Sequence, residues 1–261
     1  MSGRDSLLFA LFVALIAAGG GGQCAWAQSE PRYPSWFHTT PSGTETLWAI
    51  GYGPAYSDLH DGMPAAKNDA YESLRRAVRV VVIGEKLYEA APGYAMAVQG
   101  ERFVETGLPD TLRAVTYVDS LRAGDMTLVL AAWSESGSSA RATASRARSA
   151  FSKKPPSWVE QALEGSGTDR RAAQRAVGIA PRYYNLETSW KRAKKRARRT
   201  LAFRAATKVK SLDKSTQNYR HNVRSMTTGV DLRDVQVRAR WADEENCYVL
   251  VSARVADVLL K

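Results

Sequence analysis

Two segments of this chain carry nearly the same text. Ala49-Ile50-Gly51-Tyr52-Gly53-Pro54-Ala55-Tyr56 reappears as Ala176-Val177-Gly178-Ile179-Ala180-Pro181-Arg182-Tyr183, at a shift of 127 residues. The shift holds further on, where Ala66, Lys67, Ala70 and Leu74 fall on Ala193, Lys194, Ala197 and Leu201. Pro34-Ser35-Trp36 pairs with Pro156-Ser157-Trp158, and Leu112-Arg113-x-Val115 with Leu232-Arg233-x-Val235. Self-similarity at a fixed spacing constrains a fold more than local propensity does, because each copy must satisfy the same packing. The expected molecule is a tandem duplication of one small unit.

Each copy reads as strand, helix, hairpin. Short apolar strands, Leu47 to Gly51 and Ala176 to Ile179, run into a Gly/Ala-Pro turn. A long helix follows, predicted over about 65–88 in the first copy and about 188–210 in the second. Its apolar stripes recur at three and four residues: Ala66, Ala70, Leu74, Ala77, Val78 and Val81, then Ala193, Ala197, Leu201, Ala205 and Val209. Alanines four apart allow a helix to lie close on a sheet. Asp61 and Thr188-Ser189 offer capping chemistry near the two starts. The stretches 90–110 and 211–230 are weakly patterned and stay open between loop, strand and helix extension.

Two strands then close each copy. Leu112 to Leu121 turns at Arg122–Asp125 into Met126 to Trp133, and Leu232 to Trp241 turns at Ala242–Asn246 into Cys247 to Val255. Val235, Val237, Ala239 and Trp241 alternate with Gln236, Arg238 and Arg240, the pattern of a half-buried antiparallel strand. The expected class is α+β: two tandem β-α-β-β units, each one long helix packed on a small antiparallel sheet. The boundaries are a signal peptide at 1–27, a first repeat at 28–134, a Ser/Ala/Arg-rich linker at 135–153 and a strongly basic second repeat at 154–261.

Leu7 to Ala18 is an apolar run of about a dozen residues, short for a membrane span, and Ala25-Trp26-Ala27 supplies a cleavage site. Export with cutting after Ala27 is the expectation, to the periplasm or the outer membrane. Gln23 beside Cys24 suits a lipobox poorly, so plain cleavage ranks ahead of lipid anchoring at Cys24. That leaves Cys247 without a partner for an internal disulfide. Its setting in an apolar strand reads as a small core hydrophobe.

Charge separates the copies. The chain carries a net +11, but residues 1–150 hold 13 basic and 15 acidic side chains, whereas residues 151–261 hold 24 and 11. The excess concentrates on the second long helix.

The Pro-x-Trp opening, the apolar-Gly-apolar-Ala strand, the Ala-x3-Ala-x3-Leu helix and the hairpin ending in Tyr248-Val249-Leu250 together resemble the Lpp-twenty family of outer-membrane lipoproteins. That family includes a flagellar basal-disk protein. Copy two carries the resemblance best, through Pro156-Ser157-Trp158, Val177-Gly178-Ile179-Ala180, Ala193, Ala197, Leu201 and Trp241. Copy one carries it through Pro34-Ser35-Trp36, Ile50-Gly51-Tyr52-Gly53, Ala66, Ala70 and Leu74. It implies an envelope protein with an α+β domain, no known catalysis, and a flagellar or other assembly role.

Candidate chemistry is sparse. Gly19 to Gly22 lacks the Lys-Ser/Thr of a phosphate loop and lies in the export segment. His38, His60 and His221 show no metal-ligand spacing, so no metal or cofactor is expected. Asp243-Glu244-Glu245 is a dense acidic cluster at a predicted turn. Trp36, Trp48, Trp133, Trp158, Trp190 and Trp241 read as packing residues before they read as a sugar platform. The exception is the basic helix. Lys191, Arg192, Lys194, Lys195, Arg198 and Arg199 surround a narrow Ala/Leu stripe and are the candidate contacts to an anionic surface. Outside the cytoplasm that surface is phospholipid, lipopolysaccharide or cell-wall polymer, and the export segment argues against nucleic acid. The functional expectation is a non-enzymatic envelope module for adhesion or assembly, with a homo-oligomer or envelope-assembly protein as its other partner class. The alternatives are a carbohydrate- or cell-wall-processing enzyme built on the Trp residues and Asp243–Glu245, and a secreted nucleic-acid-binding protein.

Overall fold

The computed structural model describes residues 31–43, 45–55, 59–89, 97–137, 147–163, 174–213 and 224–260. Residues 1–30, expected to be an export segment and including Gly19 to Gly22 and Cys24, lie outside them, as do His221 and residues 138–146 of the expected linker.

The fold is mixed α+β. The described elements are β1 (Tyr33–Pro34), α1 (Ser35–His38), β2 (Thr46–Pro54), α2 (Leu59–Val78), β3 (Arg79–Glu89), β4 (Ala97–Thr106), β5 (Thr116–Ala123) and β6 (Met126–Ser134). Then come β7 (Arg148–Ser149), α3 (Ser157–Leu163), β8 (Gln174–Pro181), α4 (Leu186–Asp213), β9 (Arg224–Ala242) and β10 (Asn246–Leu260). One antiparallel sheet has the order β2-β6-β5, a second the order β4-β3-β9-β10-β8, and β1 pairs with β7.

In each half a strand precedes a long helix and a hairpin follows, and the last strand lies between the other two: β2-β6-β5 and β8-β10-β9. Both helices approach their strand through a glycine. A Cβ added at Gly51 would overlap the Ala66 carbonyl and the Ala70 amide, and one at Gly178 the Ala193 carbonyl and the Ala197 amide. Ala66, Ala70 and Leu74, and likewise Ala193, Ala197 and Leu201, are buried on these faces. The Pro-Ser-Trp segments begin α1 and α3. Trp36 is buried and donates from Nε1 to Asp119 Oδ2 at 3.1 Å. Trp158 packs beside Trp241 and Tyr248.

The first long helix ends earlier than its periodicity predicts. Residues 79–89 form β3 instead of continuing α2 to position 88. Val80-Val81-Val82-Ile83 is a β-branched run, which favours a pleated strand and loses rotamer freedom in a helix. The capping expectation also shifts: Asn185 Oδ1 accepts the Glu187 N–H at 3.1 Å, while Ser189 Oγ accepts the Tyr183 N–H at 2.9 Å. Asp61 lies inside α2.

The stretch after the first helix becomes the β3–β4 hairpin, and this hairpin joins the sheet of the other half. β3 pairs with β9 from Arg79↔Arg233 to Tyr88↔Arg224. Residues 135–153 therefore do not divide the packing. Arg32–Lys261 forms one compact unit, and a single core takes Phe37, Ile50, Tyr52 and Val80 from the first half with Trp190, Leu201, Leu232 and Val249 from the second.

The alternation of β9 is interrupted as well. Leu250 pairs with Ala239 but Val251 pairs with Val237, so β9 carries an extra residue there. Val237 and Arg240 consequently lie opposite Val251 and Val249, which share one face, whereas Trp241 lies opposite Tyr248 on the other. The expected grouping of Val235, Val237, Ala239 and Trp241 on one face is thus broken, and Arg240 points into the core.

Candidate functional site: the basic helix and the cleft behind it

The 28-residue helix α4 lies against both halves, so its buried arc is wider than the Ala/Leu stripe. Two of the six cations expected to face an anionic surface are enclosed by that arc. Arg198 is 5% exposed and forms a two-pronged pair with Glu105 of β4, Nε to Oε1 at 2.9 Å and Nη2 to Oε2 at 3.0 Å. Glu105 also meets Arg76 Nε at 3.3 Å. Burial pushes the Arg198 pKa down, and Glu105 holds it up against that.

Lys194 is the second. Its Nζ donates to Ser73 Oγ on α2 at 2.7 Å and lies 5.6 Å from the Tyr52 ring centroid. The residue as a whole is half-buried, with its ammonium held between α4 and α2. Burial brings its pKa down to about 8; Asp69 opposes the shift, and Arg198, Arg240 and Arg76 add to it. Arg240 completes the group. It is 3% exposed and donates from Nε to Tyr52 Oη at 3.0 Å and from Nη1 to the Phe37 carbonyl at 3.2 Å and Thr40 Oγ1 at 3.1 Å. Its guanidinium carbon lies 5.1 Å from the Phe37 ring centroid.

Ser73, Arg76, Lys194, Arg198 and Arg240, with Trp48 among the apolar walls, line a cleft of about 20 Å³. That is room for a water-sized particle. It cannot admit a sugar or a nucleotide.

The other expected contacts face outward or sideways. Lys191 is half-buried and meets Glu187 on its own helix and Asp69 of α2 at 3.5 Å. Arg192 is exposed, stacked 4.6 Å from the Tyr183 ring centroid and donating to its hydroxyl at 2.7 Å. Lys195 is exposed, and Arg199 lies over the Phe103 ring at 4.8 Å. Arg196, a cation of the same basic helix outside those six, is exposed on the same side and donates to the Ile179 carbonyl of edge strand β8 at 2.7 Å. Arg204 donates to the Arg175 carbonyl of the same strand at 3.2 Å. These two arginines occupy carbonyls on an edge that would otherwise be open to pairing. At 100° per residue, Arg192, Lys195, Arg196 and the 41% exposed Phe203 share one outward face of α4, and Arg199 lies at its margin, half-buried against Phe103 with its Nε enclosed. None of its four cations meets a carboxylate within ion-pair distance among the described residues.

The remaining candidates resolve into local structure. Asp243 accepts from the Glu245 and Asn246 amides at 2.9 and 2.6 Å and from Tyr248 Oη at 2.9 Å, which shapes the β9–β10 turn. Glu244 and Glu245 are exposed beside it. Cys247 is fully buried, and burial pushes its thiol up to about 12, far from the thiolate a nucleophile needs. His38 Nε2 lies 3.1 Å from the Ser149 carbonyl, and burial lowers its pKa. Among the described residues no group of His, Cys, Asp and Glu could hold a metal ion, and no helix is long and apolar enough to cross a membrane. Compared with protein-family models, curated proteins and solved structures, the chain matches none.

Proposed function

We propose that the protein is a non-enzymatic exported envelope module that adheres to an anionic envelope surface through the outer face of α4. The observation that carries this reading is the face made by Arg192, Lys195, Arg196, Arg199 and Phe203, where four cations lie without carboxylate partners around an exposed ring. Cations near an anionic surface each contribute about 1 kcal/mol, and an aromatic side chain among them suits the headgroup boundary. The surface is phospholipid, lipopolysaccharide or a cell-wall polymer. The apolar run Leu7 to Ala18 followed by Ala25-Trp26-Ala27 supports export, and the resemblance to the Lpp-twenty family supports the envelope and an assembly role. The equivalent strand orders and the paired Gly51 and Gly178 contacts support a duplicated β-α-β-β unit as the origin of the scaffold.

The test uses the mature chain and a variant in which Arg192, Lys195, Arg196 and Arg199 are all Gln. Co-sedimentation is measured with phosphatidylglycerol vesicles, neutral phosphatidylcholine vesicles and lipopolysaccharide. The wild type should bind an anionic preparation, fail on the neutral one and lose binding steeply with salt, since exposed attraction is screened over about 8 Å at physiological ionic strength. The variant should lose binding while keeping a cooperative melt, lowered only by the loss of its contacts to Tyr183, Ile179 and Phe103. Normal binding by the variant, or none by the wild type, overturns the proposal.

A further inference from the structure

We infer that the cleft enclosed by α2, α4 and β9 binds one small monovalent anion of halide size. The inference rests on the cations that line the cleft, two of them buried and two half-buried, and is independent of the outer face of α4.

Four cations line this cleft: Arg76, Lys194, Arg198 and Arg240. Two are accounted for. Glu105 bridges Arg198 and Arg76, and Glu72 also lies within 3.5 Å of Arg76. Lys194 and Arg240 are not. Neither meets a carboxylate within ion-pair distance among the described residues, and their direct contacts are neutral oxygens and an aromatic ring; Asp69 acts on Lys194 from farther off but is itself paired with Lys191 at 3.5 Å, so one carboxylate serves two ammoniums. Removing a cation from water without a counter-charge is costly, and four cations around one cleft repel one another as well. A bound anion answers both.

Donors remain to hold it. An ammonium has three N–H groups and a guanidinium five. Lys194 uses one on Ser73, and Arg240 spends its bonds through Nε and Nη1, which leaves Nη2 without a protein partner among the described residues. Trp48, Ala77, Val235 and Val237 form apolar walls. The space, about 20 Å³, decides the class of ligand. It holds one particle of roughly water size, so a halide fits and a sulfate, a nucleotide phosphate or gluconate does not. Water alone fits the volume but leaves the charge in place.

The wild-type chain is transferred into sodium gluconate and titrated with sodium chloride or bromide at constant ionic strength, and melting temperature is followed. A saturable rise with either halide, absent with sulfate, is expected. Lys194→Met should lose the rise, whereas the outer-face variant Lys195→Gln should keep it, which separates this site from surface adhesion. Crystals of the wild type soaked in bromide provide a readout that needs no variant. An anomalous peak between Lys194 and Arg240 is expected. A melting temperature indifferent to anion identity, a rise that persists in Lys194→Met, or bromide found only elsewhere overturns the inference.

Discussion

Lys194 and Lys195 are neighbours in sequence, yet one ammonium is enclosed between the halves while the other is in solvent. That difference has a measurable consequence. The Lys194 ammonium has a pKa of about 8 in the fold, against 10.5 for the free side chain. Between those values the unfolded chain binds more protons than the folded one, so stability rises with pH across that window. Below about pH 8 both states are charged and the burial penalty is constant. In gluconate buffer the rise should be on the order of 3 kcal/mol by the linkage relation. Lys194→Met should flatten it, and should be neutral or stabilising at neutral pH because an apolar side chain has no charge to desolvate. Urea midpoints measured across the window check this, and parallel profiles for the two proteins would refute it. The fate of these residues was not legible in the sequence. A Lys or Arg off the Ala/Leu stripe reads as solvated, and only a second packing surface, supplied here by Ser73, Tyr52 and Glu105, turns it inward. Arg240 had a weaker signal, since a single extra residue in β9 inverts the face that alternation predicts.

Among the elements, the apolar-Gly-apolar strands with their small-residue helices were the most legible part of the fold. Gly51 and Gly178 recur with Ala66/Ala70 and Ala193/Ala197 because backbone touches backbone there, and only small residues permit it. Gly178→Ala should therefore destabilise by at least the 1–3 kcal/mol typical of overpacking, because the obstructing atoms are a carbonyl and an amide of α4 and not a flexible side chain. Gly51→Ala should behave alike. Gly43→Ala is the control, since a methyl there meets only Thr46, at ordinary contact distance of 3.5 Å. Equal urea midpoints for Gly178→Ala and Gly43→Ala would show that the strand–helix contact yields to a methyl group. The boundary of α2 was not legible by periodicity. Ala70, Leu74, Ala77 and Val81 keep helical spacing straight into β3, and what decides the outcome is the Val80–Ile83 run together with β9, a strand about 150 residues away in sequence. Local pattern carries no information about such a partner.

At the scale of the whole molecule, the charge asymmetry between the two halves is partly consumed inside the protein. Glu105 of the first half takes Arg198 of the second, Asp69 takes Lys191, and Arg79 of the first half meets Asp231 of the second at 3.0 Å. The halves are electrostatically and apolarly complementary, with Val80 and Val82 of β3 buried in the same core as Val230 and Leu232 of β9. Two repeats joined by a Ser/Ala/Arg-rich stretch read as two domains, because composition reports the connection and not what the ends pack against. A protease site placed in the 135–153 stretch tests the difference. After cleavage the two pieces should co-elute on size exclusion and unfold in one transition, since the β3–β9 pairing and the common core hold them without the connection. Residues 154–261 produced alone should lack a cooperative melt, because Phe37, Tyr52, Val80 and Glu105 no longer cover Arg240, Leu232 and Arg198. Pieces that separate without denaturant, each with its own sharp transition, would instead establish two autonomous domains. In that event Lys194 and Arg240 would face solvent in the isolated second piece, and the anion-dependent rise in melting temperature would disappear with them.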